Sequence, residues 1–136
     1  MFEHETQIRV RYGETDRMGF VYYGDYAEYF EVGRVEALRA LGFSYRALED
    51  EGVFLPVREM HVRYHGPARY DDMLTVRTTI PSKPGARITF RNEVLSEQGE
   101  LLTEATITLV FVDRATGRPC RPPEHLVRAF APYFGA

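Results

Sequence analysis

The sequence has no tryptophan, one cysteine and no apolar run near the ~20 residues that a membrane-spanning helix needs. The single cysteine, Cys120, cannot form a disulfide within the chain, which fits a reducing compartment. Residues 1–5 lack the basic start and the apolar block of a signal peptide. We therefore expect a cytoplasmic protein that does not insert into a membrane.

Positive charge is also scarce, since 17 lysine and arginine residues stand against 20 aspartate and glutamate residues and give a formal net charge of −3. A nucleic-acid-binding domain usually carries a basic surface, so no nucleic-acid partner is expected. The 136 residues suit one domain, and the apolar share of 44% is enough to form its core. We expect residues 1–136 to form a single domain.

Signatures of metal and nucleotide sites are missing as well. His61 and His65 are spaced like a metal pair on a helix, but their segment alternates like a strand, in which residues four apart lie roughly 13 Å from each other. The sequence contains neither a phosphate-binding loop nor a dinucleotide fingerprint. We expect no bound metal ion and no resident cofactor.

Apolar residues alternate with polar ones over much of the chain, which predicts strands. The first predicted strand covers residues 7–12, and the apolar side chains on its buried face are Ile8, Val10 and Tyr12. Alternation between residues 54 and 112 predicts four more strands joined by short turns, with a bulge near Arg58-Glu59. The last of these strands is predicted over residues 101–112.

One long helix is predicted between the first strand and the others, with Asp25 as its N-cap and Gly42 as its C′ residue. Small and apolar residues recur there at helical spacing: Tyr26, Phe30, Gly33, Ala37 and Leu41. Glycine in a helix costs ~1 kcal/mol relative to alanine, so we expect the helix backbone to approach a sheet closely at Gly33. Shorter helices are predicted over residues 44–51 and 124–130.

This order of elements indicates an α+β fold, in which one long helix is wrapped by a curved antiparallel sheet of about five strands. Short turns between successive strands favour antiparallel pairing. The helix covers only one face of such a sheet. The other face then needs a partner, so we expect a homo-oligomer.

Candidate chemistry lies in the loop before the long helix, residues 12–26. Asp16 follows the first strand, and seven to ten residues later the helix begins with backbone N–H groups that have no intrahelical partner. Such groups can hold a carbonyl oxygen that gains negative charge in acyl transfer, while a carboxylate on the other side activates water or attacks. The spacing alone leaves a second interpretation open, in which Asp16 caps the loop and the glycines form tight turns.

The same loop resembles the hotdog-fold acyl-CoA thioesterases of the 4-hydroxybenzoyl-CoA thioesterase family, especially the branch associated with the Tol–Pal system. The matching residues of a first block are Tyr12, Thr15-Asp16, Gly19, Val21-Tyr22, Tyr26, Phe30, Glu31 and Arg34. The matching residues of a second block are Pro56-Val57 and Pro67-Ala68-Arg69-Tyr70-Asp71-Asp72-Met73-Leu74. The likeness covers about residues 7–112 and implies a hotdog fold.

The resemblance implies hydrolysis of an acyl-CoA thioester with a short-chain, medium-chain or aromatic acyl group. Asp16 matches the catalytic aspartate, as general base or as nucleophile, and Tyr23 stands where a backbone N–H polarises the thioester carbonyl. Tyr12 matches a supporting tyrosine of the Tol–Pal branch. That branch usually has histidine at position 23, so a side-chain role there is not carried over. The alternative function is a non-catalytic module that binds acyl-CoA.

The substrate contacts implied by the resemblance form two groups. Those expected near the reacting carbonyl and the acyl group are Gly19, Val21, Tyr26 and Val57. Phe20 is a further candidate for the wall of the acyl pocket, and for Phe20 and Val57 a role as core residues stays open. Lys83 and Arg87 flank the Pro84-Gly85 turn, where the family often contacts the phosphates of coenzyme A. Coenzyme A enters as part of the substrate rather than as a cofactor. The expected homo-oligomer is a dimer or a dimer of dimers, that is, a homotetramer.

Overall fold

Seven strands and three helices form the described part of the chain, residues 1–135, in a computed structural model. The strands are β1 (Phe2–Arg9), β2 (Val53–Phe54), β3 (Val57–Tyr64), β4 (Met73–Ile80), β5 (Arg87–Leu95), β6 (Leu101–Val110) and β7 (Val112–Asp113). The helices are α1 (Tyr26–Ala40), α2 (Tyr45–Asp50) and α3 (Glu124–Phe130). Short 3₁₀ turns cover Tyr12–Glu14, Tyr23–Asp25 and Ala131–Tyr133. No helix among these residues is long and apolar enough to cross a membrane.

Five of the strands form one antiparallel sheet, as predicted for the α+β fold, in the order β1-β4-β5-β6-β3. β3 and β4 follow each other in the chain but do not pair, in contrast to the pairing expected of successive strands. β2 and β7 form a separate two-stranded sheet. The pairing of β3 with β6 shifts register between Val57 and Glu59, which confirms the predicted bulge.

The two ends of the five-stranded sheet carry different residues. Arg9 of β1 pairs with Met73 of β4 at one end, and Tyr64 of β3 lies at the same end. Lys83 and Arg87 lie at the other end, on the turn between β4 and β5 and at the start of β5. Since eight strand residues span roughly 25 Å, these two groups are far apart within one chain.

The core lies between α1 and one face of the sheet. The sheet contributes fully buried side chains from its three central strands: Leu74, Val76, Ile80, Ile88, Phe90, Ile107 and Leu109. The helix contributes Tyr29, Phe30, Ala37 and Leu38.

The opposite face of the sheet is polar. Its side chains on the three central strands include Thr75, Arg77, Thr89, Arg91, Glu93, Thr106 and Thr108. A polar face does not have to be covered, so the predicted reason for a homo-oligomer is not found there. Exposed apolar side chains lie instead on the edge strand β3, where Val57, Met60 and Tyr64 are about half exposed.

The first strand differs from its predicted range of residues 7–12. β1 pairs with β4 along its whole length and ends at Arg9. The Val10 N–H still donates to the Asp72 carbonyl oxygen at 2.9 Å, and the chain leaves the sheet after Val10. The Glu14 carboxylate accepts the Arg11 backbone N–H at 2.8 Å and so stabilises a 3₁₀ turn. Tyr12 in this turn is 81% exposed, and its predicted position on the buried face of a strand is wrong.

The predicted helices are confirmed, and one strand is shorter than predicted. Asp25 precedes α1, and Gly42 has a φ of 94°, a conformation that glycine adopts without strain at the end of a helix. β6 ends at Val110 rather than at residue 112. The Phe111 N–H still donates to the Ala86 carbonyl oxygen at 2.8 Å, in register with the pairing of Arg87 and Val110, and the chain then pairs with β2 through β7.

Gly33 is the position at which α1 meets the sheet, as predicted. A Cβ atom there would lie 2.5 Å from Thr78 Oγ1, 2.8 Å from Val76 Cγ1 and 3.1 Å from Asn92 Nδ2. The Asn92 amide donates to Thr78 Oγ1 at 2.8 Å, and both side chains are buried. The missing side chain therefore allows the helix backbone to approach this buried polar pair.

We expect Gly33→Ala to lower the free energy of unfolding by ~2 kcal/mol, because the added methyl group overlaps short, buried side chains that cannot rotate away. This exceeds the ~1 kcal/mol that alanine contributes over glycine in a helix. Urea unfolding followed by circular dichroism measures the change. Gly85→Ala is the control, since a Cβ there meets no atom within 4 Å. Unchanged or higher stability of Gly33→Ala would contradict the close approach.

Candidate active site

Asp16 lies in a tight hairpin between β1 and α1. Thr15 and Val21 pair as an antiparallel bridge across this hairpin. The Asp16 N–H donates to the Phe20 carbonyl oxygen at 2.8 Å, and the Gly19 N–H donates to the Asp16 carbonyl oxygen at 3.0 Å. Gly19 has a φ of 82°, which glycine adopts without strain. The backbone of Asp16 is therefore fixed on both sides.

The Asp16 carboxylate is oriented by the same hairpin. Its Oδ1 atom accepts the backbone N–H of Met18 at 2.9 Å and that of Phe20 at 3.2 Å. Its Oδ2 atom accepts no hydrogen bond from any residue in the described range, 1–135. One carboxylate oxygen is thus held in place, and the other is available to water or a substrate.

The start of α1 supplies backbone donors next to this hairpin. The Tyr22 N–H donates to the Glu14 carbonyl oxygen at 2.9 Å, and a 3₁₀ turn over Tyr23–Asp25 then leads into the helix. Within the described residues, the N–H groups of Tyr23 and Gly24 have no acceptor, because they open the first turn. The dipole of α1 is positive at this end and favours negative charge there.

Asp16 and Tyr23 line one cleft with a volume of about 310 Å³. The hairpin and the start of α1 contribute Asp16, Met18, Phe20, Val21, Tyr23 and Tyr26. The end of β3 and the segment after it contribute Tyr64, His65, Gly66 and Pro67. Asp16 and the residue that opens the first turn before α1 therefore border the same cleft.

Tyr64 is a cleft residue that the sequence did not single out. Its hydroxyl donates to the Tyr23 carbonyl oxygen at 3.2 Å, and its ring meets the Tyr26 ring edge-on at 5.6 Å between centroids. Burial raises the pKa of Tyr26, which keeps that phenol protonated. Tyr64 continues the strand alternation of β3, but no local pattern in the sequence links it to the helix start.

A sequence profile described as the thioesterase-like superfamily matches residues 10–130. The chain belongs to this superfamily. The acyl-CoA thioester hydrolase YbgC of Escherichia coli O157:H7 is 39% identical to it over 123 residues, which cover 90% of this chain and 92% of YbgC. The family resemblance and the predicted enzyme class, a thioesterase, are confirmed.

Two solved structures show the fold of this superfamily. DHNA-CoA thioesterase from Staphylococcus aureus matches with a TM-score of 0.85 and 36% identity, over 89% of this chain and 81% of that one. A variant of 4-hydroxybenzoyl CoA thioesterase matches with a TM-score of 0.85 over 96% of this chain and all of that one, and its 20% identity shows the fold alone. The predicted hotdog fold is confirmed.

In this member of the thioesterase-like superfamily, half of the predicted site residues come together. Those that line the cleft are Asp16, Phe20, Val21, Tyr23 and Tyr26. Gly19 does not line the cleft but shapes the hairpin that carries Asp16.

The other predicted site residues lie away from the cleft within one chain. The Tyr12 ring packs on the Tyr70 ring, with 5.4 Å between centroids. Val57 is 50% exposed at the far end of β3. Lys83 and Arg87 are exposed at that same far end of the sheet. Tyr12, Val57, Lys83 and Arg87 therefore do not border the cleft that contains Asp16.

The histidines do not form a shared site. Among residues 1–135, no three His, Cys, Asp or Glu side chains are grouped so that they could hold a metal ion. His61 Nε2 lies 3.5 Å from a Glu59 oxygen, whereas His65 Nε2 lies 2.9 Å from a Glu104 oxygen. Each histidine therefore pairs with a different carboxylate.

Proposed function

We propose that the chain hydrolyses acyl-CoA thioesters, with Asp16 as general base or nucleophile and the Tyr23 backbone N–H as donor to the reacting carbonyl oxygen. The observation that supports this most strongly is that both residues line one cleft. The Asp16 carboxylate is aligned by two backbone N–H groups, so its orientation does not depend on substrate. Preorganised donors and bases of this kind lower the barrier to acyl transfer.

The proposed reaction places the thioester carbonyl oxygen on the Tyr23 N–H. In the general-base route, Asp16 takes a proton from water while the water oxygen attacks the carbonyl carbon. The C–S bond then breaks, and the thiolate of coenzyme A leaves with the proton from Asp16. In the nucleophilic route, an Asp16 oxygen attacks, the thiolate leaves, and water hydrolyses the resulting mixed anhydride. Both routes give a free acid and coenzyme A.

The lining of the cleft supports a short, medium-chain or aromatic acyl group, and among these it favours a flat aromatic one. Phe20, Tyr26 and Tyr64 present rings to the cleft. Aromatic rings pair favourably in edge-on or offset geometry, which a flat acyl group can adopt and a flexible chain cannot. One of the similar proteins, at 36% identity, is named for DHNA-CoA.

We also propose a homodimer in which two β3 edge strands pair antiparallel, alone or within a dimer of dimers. Such pairing buries the exposed apolar side chains of β3. It also places the Val57 end of one strand beside the Tyr64 end of the other. The partner's Lys83 and Arg87 then approach this chain's cleft, where they can meet the phosphates of coenzyme A. A monomer in sedimentation velocity would contradict this arrangement.

We expect the purified chain to release free thiol from acyl-CoA substrates, with a higher kcat/KM for benzoyl-CoA and phenylacetyl-CoA than for saturated chains. We expect this preference because aromatic residues line the cleft. The rates are measured as thiol release, which a chromogenic disulfide detects. Acyl-CoA without enzyme and enzyme with coenzyme A alone are the controls.

The same set of acyl-CoA substrates distinguishes hydrolysis from the alternative function, binding without catalysis. Saturable binding of acyl-CoA without thiol release would indicate a non-catalytic binding module. Equal rates for aromatic and saturated acyl groups would contradict the proposed preference but not the hydrolysis. A cytoplasmic location, with Cys120 as a free thiol, stays a prediction.

A further inference from the structure

Glu14 is a buried carboxylate two residues before Asp16, and the reaction proposed above does not use it. It is 6% exposed and accepts hydrogen bonds from two sides. Arg11 donates to it through its backbone N–H at 2.8 Å and through its guanidinium at 3.0 and 2.7 Å. On the other side, the Tyr29 hydroxyl of α1 donates to Glu14 Oε1 at 2.8 Å. A carboxylate is rarely buried unless its oxygens are paired in this way.

The charge on Glu14 is maintained by these donors. Burial raises the pKa of Glu14, but the hydrogen bonds from Arg11 and Tyr29 outweigh it and hold the pKa below its ordinary value. Burial and the bond to Glu14 raise the pKa of Tyr29 far above its ordinary value. Tyr29 therefore remains the donor and Glu14 the charged acceptor at neutral pH, which makes this hydrogen bond stronger than one between neutral groups.

Glu14 also contacts the backbone that leads to the Tyr23 N–H. Its backbone carbonyl oxygen, not its carboxylate, accepts the Tyr22 backbone N–H at 2.9 Å. One residue thus connects the chain that carries Asp16, the body of α1 through Tyr29, and the turn that presents Tyr23.

We propose that Glu14 is a positioning residue for the hydrolysis: the hydrogen bond from Tyr29 to its carboxylate holds the Glu14 backbone, whose carbonyl oxygen accepts the Tyr22 N–H, and so fixes the distance between the Asp16 carboxylate and the Tyr23 N–H. This inference rests on the proposed function. Reacting groups held about 1 Å out of place can cost on the order of 10²-fold in rate, so the spacing of base and donor matters even though Glu14 does not touch substrate.

Tyr29→Phe tests this proposal, because it removes only the hydroxyl that ties Glu14 to α1 and leaves the Arg11 contacts in place. We expect kcat to fall about 10-fold while KM changes less than twofold, since binding of the substrate does not use this contact. Amide hydrogen exchange at Tyr22 is expected to become faster. Tyr45→Phe is the control for loss of a buried tyrosine hydroxyl, because the Tyr45 hydroxyl lies on α2 outside the cleft and has no hydrogen-bond partner among residues 1–135. It is expected to leave kcat and exchange at Tyr22 unchanged.

The outcomes are distinguishable from failure of the proposed function. If the unmodified chain does not hydrolyse acyl-CoA, the proposed function fails before any variant is compared. If the unmodified chain is active and Tyr29→Phe keeps its kcat within twofold, the positioning role is overturned. An equal loss in Tyr45→Phe would overturn it as well, because the effect would then be general loosening.

A second variant avoids the buried site, in case Tyr29→Phe does not fold. Arg11→Gln removes the guanidinium contacts of Glu14 from a side chain that is 76% exposed, so it creates no cavity. We expect kcat to fall several-fold with KM unchanged, because Glu14 then loses part of its orientation. Unchanged kcat in a folded Arg11→Gln protein would count against the proposal.

Discussion

Asp16→Asn is expected to lower kcat on the order of 10³- to 10⁴-fold while the protein remains folded. The asparagine side-chain oxygen can still accept the N–H groups of Met18 and Phe20, so the hairpin keeps its shape. The amide group that replaces Oδ2 can neither take a proton from water nor attack a carbonyl carbon. Steady-state rates of thiol release from an acyl-CoA substrate, together with a melting curve, measure both parts of this expectation.

Asp25→Asn is the matched control for the loss of a negative charge near the start of α1. Asp25 precedes the helix, its carboxylate accepts no capping hydrogen bond, and it does not line the cleft. The kcat of Asp25→Asn is expected to stay within about twofold of the kcat of the unmodified chain. Full activity of a folded Asp16→Asn protein would remove Asp16 from the reaction. For active protein, a single turnover in ¹⁸O-water tests the nucleophilic route in which water attacks the Asp16 carboxyl carbon of the mixed anhydride, because that step leaves ¹⁸O on Asp16 and an Asp16 oxygen in the first acid product.

The elements that could be predicted from the sequence are those that bury one face over many residues. Apolar residues recur at helical spacing along α1 and at every second position along β4, β5 and β6. In each element the local pattern therefore agrees with the face that packing buries. The contact of Gly33 with the sheet could be predicted because glycine lowers the stability of a helix, and close packing has to offset that loss. In each case, the physical cause acts within the segment itself.

Tyr12 is a residue whose burial is predicted wrongly by the alternation of apolar and polar residues. Its position continues the apolar face of β1, but the Glu14 carboxylate binds the Arg11 N–H and turns the chain out of the sheet. A side-chain acceptor three residues ahead thus outweighs the pattern of the preceding strand.

The candidate site could be predicted only in its local part. Asp16 and Tyr23 lie within one loop, so their spacing and the family resemblance place them near each other. Tyr64 bonds to Tyr23 across 41 residues, and this contact depends on how β3 pairs with β6. No property of the sequence near Tyr64 carries that information. The same holds for Lys83 and Arg87, whose proposed role depends on another subunit.

Tyr23→Pro is expected to lower kcat by roughly 10²- to 10³-fold, because proline removes the one backbone donor assigned to the carbonyl oxygen. The substitution suits the local backbone. Tyr23 is the first residue of a helical turn, where proline is tolerated since that N–H has no helical partner. Tyr22 before it has φ −60° and ψ 134°, the extended conformation that a residue before proline prefers. Circular dichroism and the melting temperature show whether the fold is retained.

Tyr23→Ala and Tyr23→Phe separate the N–H from the side chain, since both keep the donor. Tyr23 is 64% exposed, and its ring contacts the Tyr22 ring at a tilt of 41°. We therefore expect kcat to stay within about threefold of the unmodified chain in Tyr23→Ala and to be unchanged in Tyr23→Phe. A large loss in Tyr23→Phe would show that the hydroxyl takes part in the reaction. If Tyr23→Pro and Tyr23→Ala had equal rates, the donor would have to be another group, and the unpaired Gly24 N–H in the same turn would be the next to test.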